Sequence, residues 1–140
     1  MEDNRKIKDI YGCNYIEADG KMYPLQKWYN QLIDKKISEI TVFDVLRMIR
    51  QNEFVDVAIS KAIVYLKANP FVGDMYEGEL LEKLSKININ DLKDYLNEIK
   101  DILSNALAKN ESYDWLDEEE RKEFEEIISS FSEKILDIPN

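Results

Sequence analysis

The chain has 140 residues, 44% of them hydrophobic, which suits one domain with one core. It contains no histidine, which excludes the side chain that most often acts as a general base or binds transition metals. A formal net charge of −10 disfavours binding to nucleic acid and anionic membranes, and no run of 18 apolar residues predicts a membrane span.

Residues 1–23 are predicted to form an N-terminal arm. Ile7, Ile10 and Tyr11 follow a helical spacing that Gly12 interrupts, and Asp19-Gly20 favours a tight β-turn. Two interpretations remain open, a small β-hairpin over residues 14–23 or an ordered arm packed on helices. Cys13 is interpreted as a small, at least half-buried hydrophobe, since no histidine is present to activate it as a nucleophile. A single cysteine and the lack of a secretion signal predict a cytoplasmic protein.

Residues 24–86 are predicted to form a helical core. Pro24 suits the first position of an amphipathic helix whose apolar stripe includes Trp28 and Leu32. A second helix should begin at about Val42, because Thr41 is a good N-cap and Asp44 can answer its backbone N–H. This helix should end at residues 51–52, where Asn tolerates the left-handed conformation.

The apolar residues from Phe54 to Leu66 recur at intervals of three and four, which favours a helix. A β-strand is the alternative, because Val55, Val57 and Ile59 alternate. The length of the segment decides for a helix that ends before Pro70. Residues 70–81 then form a turn-rich connector with two glycines, which leads into another helix.

The residues that carry a family resemblance lie in this core. They are the capped run 41–52, the apolar helix ending at residues 69–70, and the sequence Gly-Asp-Met-Tyr-Glu-Gly-Glu-Leu-Leu at 73–81. Over residues 25–84 the chain resembles a family of immunity proteins of bacterial contact-dependent growth inhibition (CDI) systems. The residues assigned to this family-like pattern are Thr41, Asp44, Pro70, Gly73, Asp74, Tyr76 and Gly78.

Residues 87–140 are predicted to form two C-terminal helices. The first should run from Asn88 or Asn90 to about Lys109. The second should begin after Asp117, an N-cap with Glu120 at the third helical position. In the loop between them, Tyr113 and Trp115 either plug an edge of the core or lie exposed beside the acidic residues.

The acidic charge is concentrated at this end of the chain. Residues 111–140 carry eleven acidic and three basic side chains, whereas residues 1–40 carry seven of each. Helix capping explains the acids of the first turn but not the others, and the summed negative field of the segment should attract a basic partner. The candidate partner-binding residues are Glu111, Asp114, Trp115, Glu118, Glu119, Glu123 and Glu126.

No motif for phosphate binding, metal binding or nucleophilic catalysis occurs, so the sequence predicts no enzyme, no catalytic residue, no cofactor and no metal. The predicted fold is all-α, a single domain of about six helices over residues 1–140. With the resemblance, the predicted function is an immunity protein that forms a 1:1 complex with a cognate toxin domain and blocks it. An acidic helical adaptor or regulatory binding module is the alternative.

Overall fold

The computed structural model describes residues 3–17 and 20–136, and these residues are mainly α-helical. Within those ranges, β-type pairing is limited to an isolated antiparallel bridge between Lys6 and Lys36. The predicted all-α fold class is confirmed. Helices α1 to α8 span Ile7–Tyr11, Pro24–Ile33, Val42–Gln51, Val55–Ala68, Glu79–Ser85, Ile89–Leu92, Leu96–Asn110 and Glu118–Leu136. The chain forms two compact units, one up to Asp44 and one from Val45 onward.

In the first unit, the N-terminal arm packs against α2 through side-chain hydrogen bonds. The Asn30 amide accepts a bond from the Ile16 N–H at 2.7 Å and donates one to the Ile16 carbonyl at 3.0 Å. The Tyr15 hydroxyl donates to the Asp34 carboxylate at 2.6 Å. Residues 14–17 and 20–23, the described flanks of the predicted hairpin, contain no strand, and Asp19 lies outside the described residues. The described part of the arm therefore follows the second interpretation, an ordered segment on a helix.

Asp44 is a buried carboxylate that connects three parts of the first unit. Its oxygens accept hydrogen bonds from the Trp28 indole, the Lys35 ammonium and the Thr41 N–H. The Thr41 hydroxyl in turn accepts a bond from the Asp44 N–H at 3.1 Å, which completes the predicted reciprocal cap. Burial disfavours the charged form of Asp44 and would raise its pKa. The hydrogen bonds favour the charged form more strongly, so the pKa of Asp44 is lower than its usual value.

The ends of the helices follow the local signals in most places. Asn52 adopts a left-handed φ of 55° just after α3, and Asn69 is extended just before Pro70. Phe54 also has a positive φ, 49°, which its residue type does not predict. Between and after these turns, α4 packs against α5 and α7, and α8 packs against the same two helices.

The segment predicted as one helix from Asn88 or Asn90 to Lys109 is interrupted. Asn88 is the cap, and its side chain accepts a bond from the Asn90 N–H at 2.9 Å. After α6 the chain makes a tight helical turn over residues 93–95, and α7 begins only at Leu96. At the interruption the Tyr95 hydroxyl donates to the Asp56 carboxylate at 2.6 Å, so a contact with the first turn of α4 fixes the side chain there.

Candidate functional site

The acidic residues of the C-terminal segment lie on and before the first turns of α8. Asp117 caps this helix as predicted, since its carboxylate accepts a bond from the Glu120 N–H at 2.9 Å. Glu120 reaches back to the Leu116 N–H. The six acidic candidates for partner binding, Glu111, Asp114, Glu118, Glu119, Glu123 and Glu126, are all exposed.

Arg121 holds the loop that precedes α8. Its guanidinium donates to the Asn110 carbonyl at 3.0 Å and to the Tyr113 carbonyl at 2.6 Å, and it forms an ion pair with Glu118. The buried Asn110 side chain accepts a bond from the Trp115 indole at 2.8 Å. The loop is thus tied to both helices that it connects. Sequence reasoning overlooked Arg121, although it is the first basic residue after eleven residues that contain none.

An aromatic cluster joins this loop to the connector before α5. The rings of Phe71 and Tyr113 stack with centroids 3.8 Å apart, and Trp115 packs edge-on to both. Phe124 of α8 closes the cluster, with its centroid 5.3 Å from that of Trp115. Tyr113 and Trp115 are half-buried, so the loop aromatics plug an edge of the core, the first of the two alternatives. The cluster brings together the family-like pattern and the acidic residues, which are about forty positions apart in sequence.

Residues 71–81, here called the box, form an ordered loop and the start of α5, and Glu79 closes the loop. This side chain is only 8% exposed, and its carboxylate accepts bonds from the Asp74 and Met75 N–H groups, each at 2.9 Å. Gly78 adopts a left-handed φ of 85°, and its N–H donates to the Phe71 carbonyl at 2.7 Å. Such a closed loop has a defined surface, which a flexible linker would not have.

Two tyrosines hold acidic side chains at the edge of the box. The Tyr76 hydroxyl donates to Glu82, and the Tyr113 hydroxyl donates to Glu77. Partial burial, and then the neighbouring carboxylate, raise the pKa of Tyr76 and raise that of Tyr113 to about 12. Both hydroxyls therefore stay protonated near neutral pH and fix the positions of the two carboxylates.

A groove of about 490 Å³ lies between the box and α8. Its acidic lining residues are Glu77, Glu82, Glu120 and Glu123. Among the predicted partner-binding residues, Trp115 and Glu123 line this groove, and Glu126 lines an adjoining depression along α5 and α8. Glu111, Asp114, Glu118 and Glu119 are exposed outside it.

The family-like pattern is divided between the two units. Thr41 and Asp44 belong to the first unit, where they form the helix cap described above. Pro70 is buried, and Gly73, Asp74, Tyr76 and Gly78 belong to the box of the second unit. Within the described ranges, no group of acidic or cysteine side chains is arranged to hold a metal ion. No helix in the same ranges is long and apolar enough to cross a membrane.

Comparison with known protein families gives a match over most of the chain. A family model described as CDI immunity proteins matches residues 9–102. This range includes α2 to α6 and the box, and it ends inside α7. The comparison with curated proteins finds no match.

Proposed function

Because this chain belongs to the family of CDI immunity proteins, we propose that it binds the cognate toxin domain of a contact-dependent inhibitor protein and neutralises it in the cytoplasm by covering its active surface. Neutralisation is steric and electrostatic, and it requires no catalytic group in the immunity protein. The complex contains one copy of each chain. The acidic C-terminal segment, residues 111–126, forms the centre of the contact.

The observation that supports this surface is its combination of charge and rigidity. The exposed acids stand on a capped helix, and the loop before it is fixed by Arg121 and by the aromatic cluster. A preformed surface loses little conformational entropy on binding, so more of the interaction energy appears as affinity. A one-sign field also accelerates the encounter with a partner of opposite charge.

The charge of the surface indicates the chemistry of the toxin. A basic surface complementary to residues 111–126 is typical of proteins that bind nucleic acid through phosphate contacts. We therefore propose that the toxin is a nuclease, with an RNase preferred over a DNase. The immunity protein would then occupy the site of the nucleic-acid backbone.

We expect the cognate toxin domain to be encoded immediately upstream of this chain, and the test uses that domain. Mixing the two purified proteins should give a complex whose mass, measured by light scattering, is the sum of one copy of each. The isolated toxin should degrade RNA, and an equimolar amount of the immunity protein should abolish that activity. An adaptor would leave the toxin active, and an acidic or pore-forming toxin would contradict the nuclease proposal.

A further inference from the structure

The groove between the box and α8 combines negative charge with apolar surface. Four carboxylates line it, and no lysine or arginine is among the described lining residues. At its edge, the Lys83 ammonium lies 3.7 Å from the Glu82 carboxylate. Glu77 and Glu82 are fixed by tyrosine hydroxyls, whereas Glu123 is exposed and has no ion pair within the described residues. Among the described residues only Glu82 of these four carboxylates has an ion pair, so the groove keeps a net negative charge.

The apolar part of the groove is open to solvent. Met75 is 80% exposed and Leu116 is 91% exposed, and they stand on the box and on the loop before α8 respectively. Trp115 and Ile127 are half-buried in the lining. Exposed apolar side chains beside carboxylates suit a ligand that is apolar along its length and positive at its end.

We infer that this groove receives one lysine or arginine side chain of the toxin, with its cationic group among Glu82, Glu120 and Glu123 and its aliphatic stem against Met75, Leu116 and Trp115. This inference rests on the proposed function and adds the anchoring contact. A metal ion is a poorer occupant, because the described residues offer no suitable cluster and the groove walls are largely apolar. The inference also gives the box a binding role in addition to its structural one, since Met75, Tyr76 and Glu77 line the groove.

A toxin side chain anchored in the groove predicts different binding kinetics from long-range attraction alone. Any exposed acid of α8 contributes to the field that accelerates association, whereas only a groove residue contacts the bound cation. Removal of one member of a close charge pair acts mainly on dissociation. The test is therefore a pair of variants with equal changes in net charge, Glu123→Gln in the groove and Glu125→Gln outside it.

The experiment measures binding of the upstream-encoded toxin domain by surface plasmon resonance. Glu123→Gln should raise the dissociation rate by about tenfold or more, and Leu116→Ala should raise it severalfold. Glu125→Gln should leave the dissociation rate unchanged while it lowers the association rate about as much as Glu123→Gln does. Circular dichroism melting of each variant confirms that its fold is intact.

The outcomes separate this inference from the proposed function. If wild-type protein binds the toxin domain and both groove variants dissociate at the wild-type rate, the anchor is wrong and the proposed function stands. If wild-type protein does not bind that domain at all, both are wrong. A self-association of the immunity protein that Glu123→Gln abolishes would assign the groove to a second copy of the chain and contradict the inference.

Discussion

Gly73 and Gly78 occupy positions in the box at which a side chain has no room. A Cβ atom at Gly73 would lie 1.9 Å from the Tyr76 carbonyl oxygen, and one at Gly78 would lie 2.8 Å from the Phe124 ring. The two obstacles differ in kind, because one is backbone and the other is a side chain. This difference can be tested by substitution.

Gly78→Ala should lower the free energy of unfolding by about 2 kcal/mol, from left-handed strain and overlap with Phe124. In combination with Phe124→Leu, this loss should shrink by about 1 kcal/mol, since the smaller side chain makes room. Gly73→Ala should be at least as destabilising, and Phe124→Leu should not relieve it. Urea unfolding of the single and double variants measures how much Phe124→Leu reduces the stability loss at each glycine. An equal reduction at Gly73 and Gly78 would contradict the assigned contacts.

Asp44 makes stability depend on pH in the acidic range. Its pKa is lowered in the folded protein, so its contribution is fully present above the unfolded value of about 3.9 and is lost as pH falls through the folded pKa. Asp44→Asn should cost about 2 kcal/mol at pH 7 and progressively less below about pH 4, because the Asp44 carboxylate is protonated first in the unfolded chain and in the folded protein only once the pH has passed its lower pKa. Thermal unfolding from pH 7 to pH 3 checks this. Asp9→Asn, at an exposed position of the same unit, is the control; if both variants lose the same stability at every pH, Asp44 has no special role.

Helix boundaries set by neighbouring residues could be predicted from the sequence. The caps at Thr41 and Asp117 and the left-handed Asn52 each depend on residues within one turn, so they appear where the sequence places them. The interruption at Tyr95 coincides with a hydrogen bond to Asp56, 39 residues away, and no local pattern signals it. The groove escaped prediction for the same reason, since its lining comes from residues 75–82 and 115–127, which are far apart in sequence.

The loop before α8 depends on a single arginine. Arg121→Gln should speed amide hydrogen exchange over residues 111–117 and lower stability by about 1–2 kcal/mol, because two backbone carbonyls lose a charged donor. Lys122→Gln makes the same change in charge at the next, exposed position and should leave exchange in the loop unchanged. Mass spectrometry of exchanged peptides measures both. Unaltered protection in Arg121→Gln would show that the aromatic cluster alone fixes the loop.

At the scale of the whole molecule, the net charge of −10 is concentrated near the proposed contact. The triple change of Glu119, Glu123 and Glu126 to Lys should slow association with the toxin domain towards the neutral rate of about 10⁵–10⁶ M⁻¹s⁻¹. It should also flatten the salt dependence of the association rate, because the variant lacks the attraction that salt screens in the wild-type protein. In the wild-type protein this attraction weakens as the Debye length falls from about 10 Å at 0.1 M salt to about 3 Å at 1 M. Capping by Asp117 and Glu120 is left intact. Stopped-flow binding from low to high salt is the measurement. If the variant keeps the association rate and the salt dependence of the wild-type protein, these glutamates do not steer the partner and are only a solvated face of the helix.

Family membership and the acidic surface both support the proposal that the protein protects the cell that makes it. The most direct measurement is growth of bacteria that produce the upstream-encoded toxin domain, with and without this protein. We expect wild-type protein to restore growth and the triple lysine variant, at the same level of folded protein, to protect much less. If folded wild-type protein at a level equal to the toxin leaves growth inhibited, the proposed neutralisation is wrong.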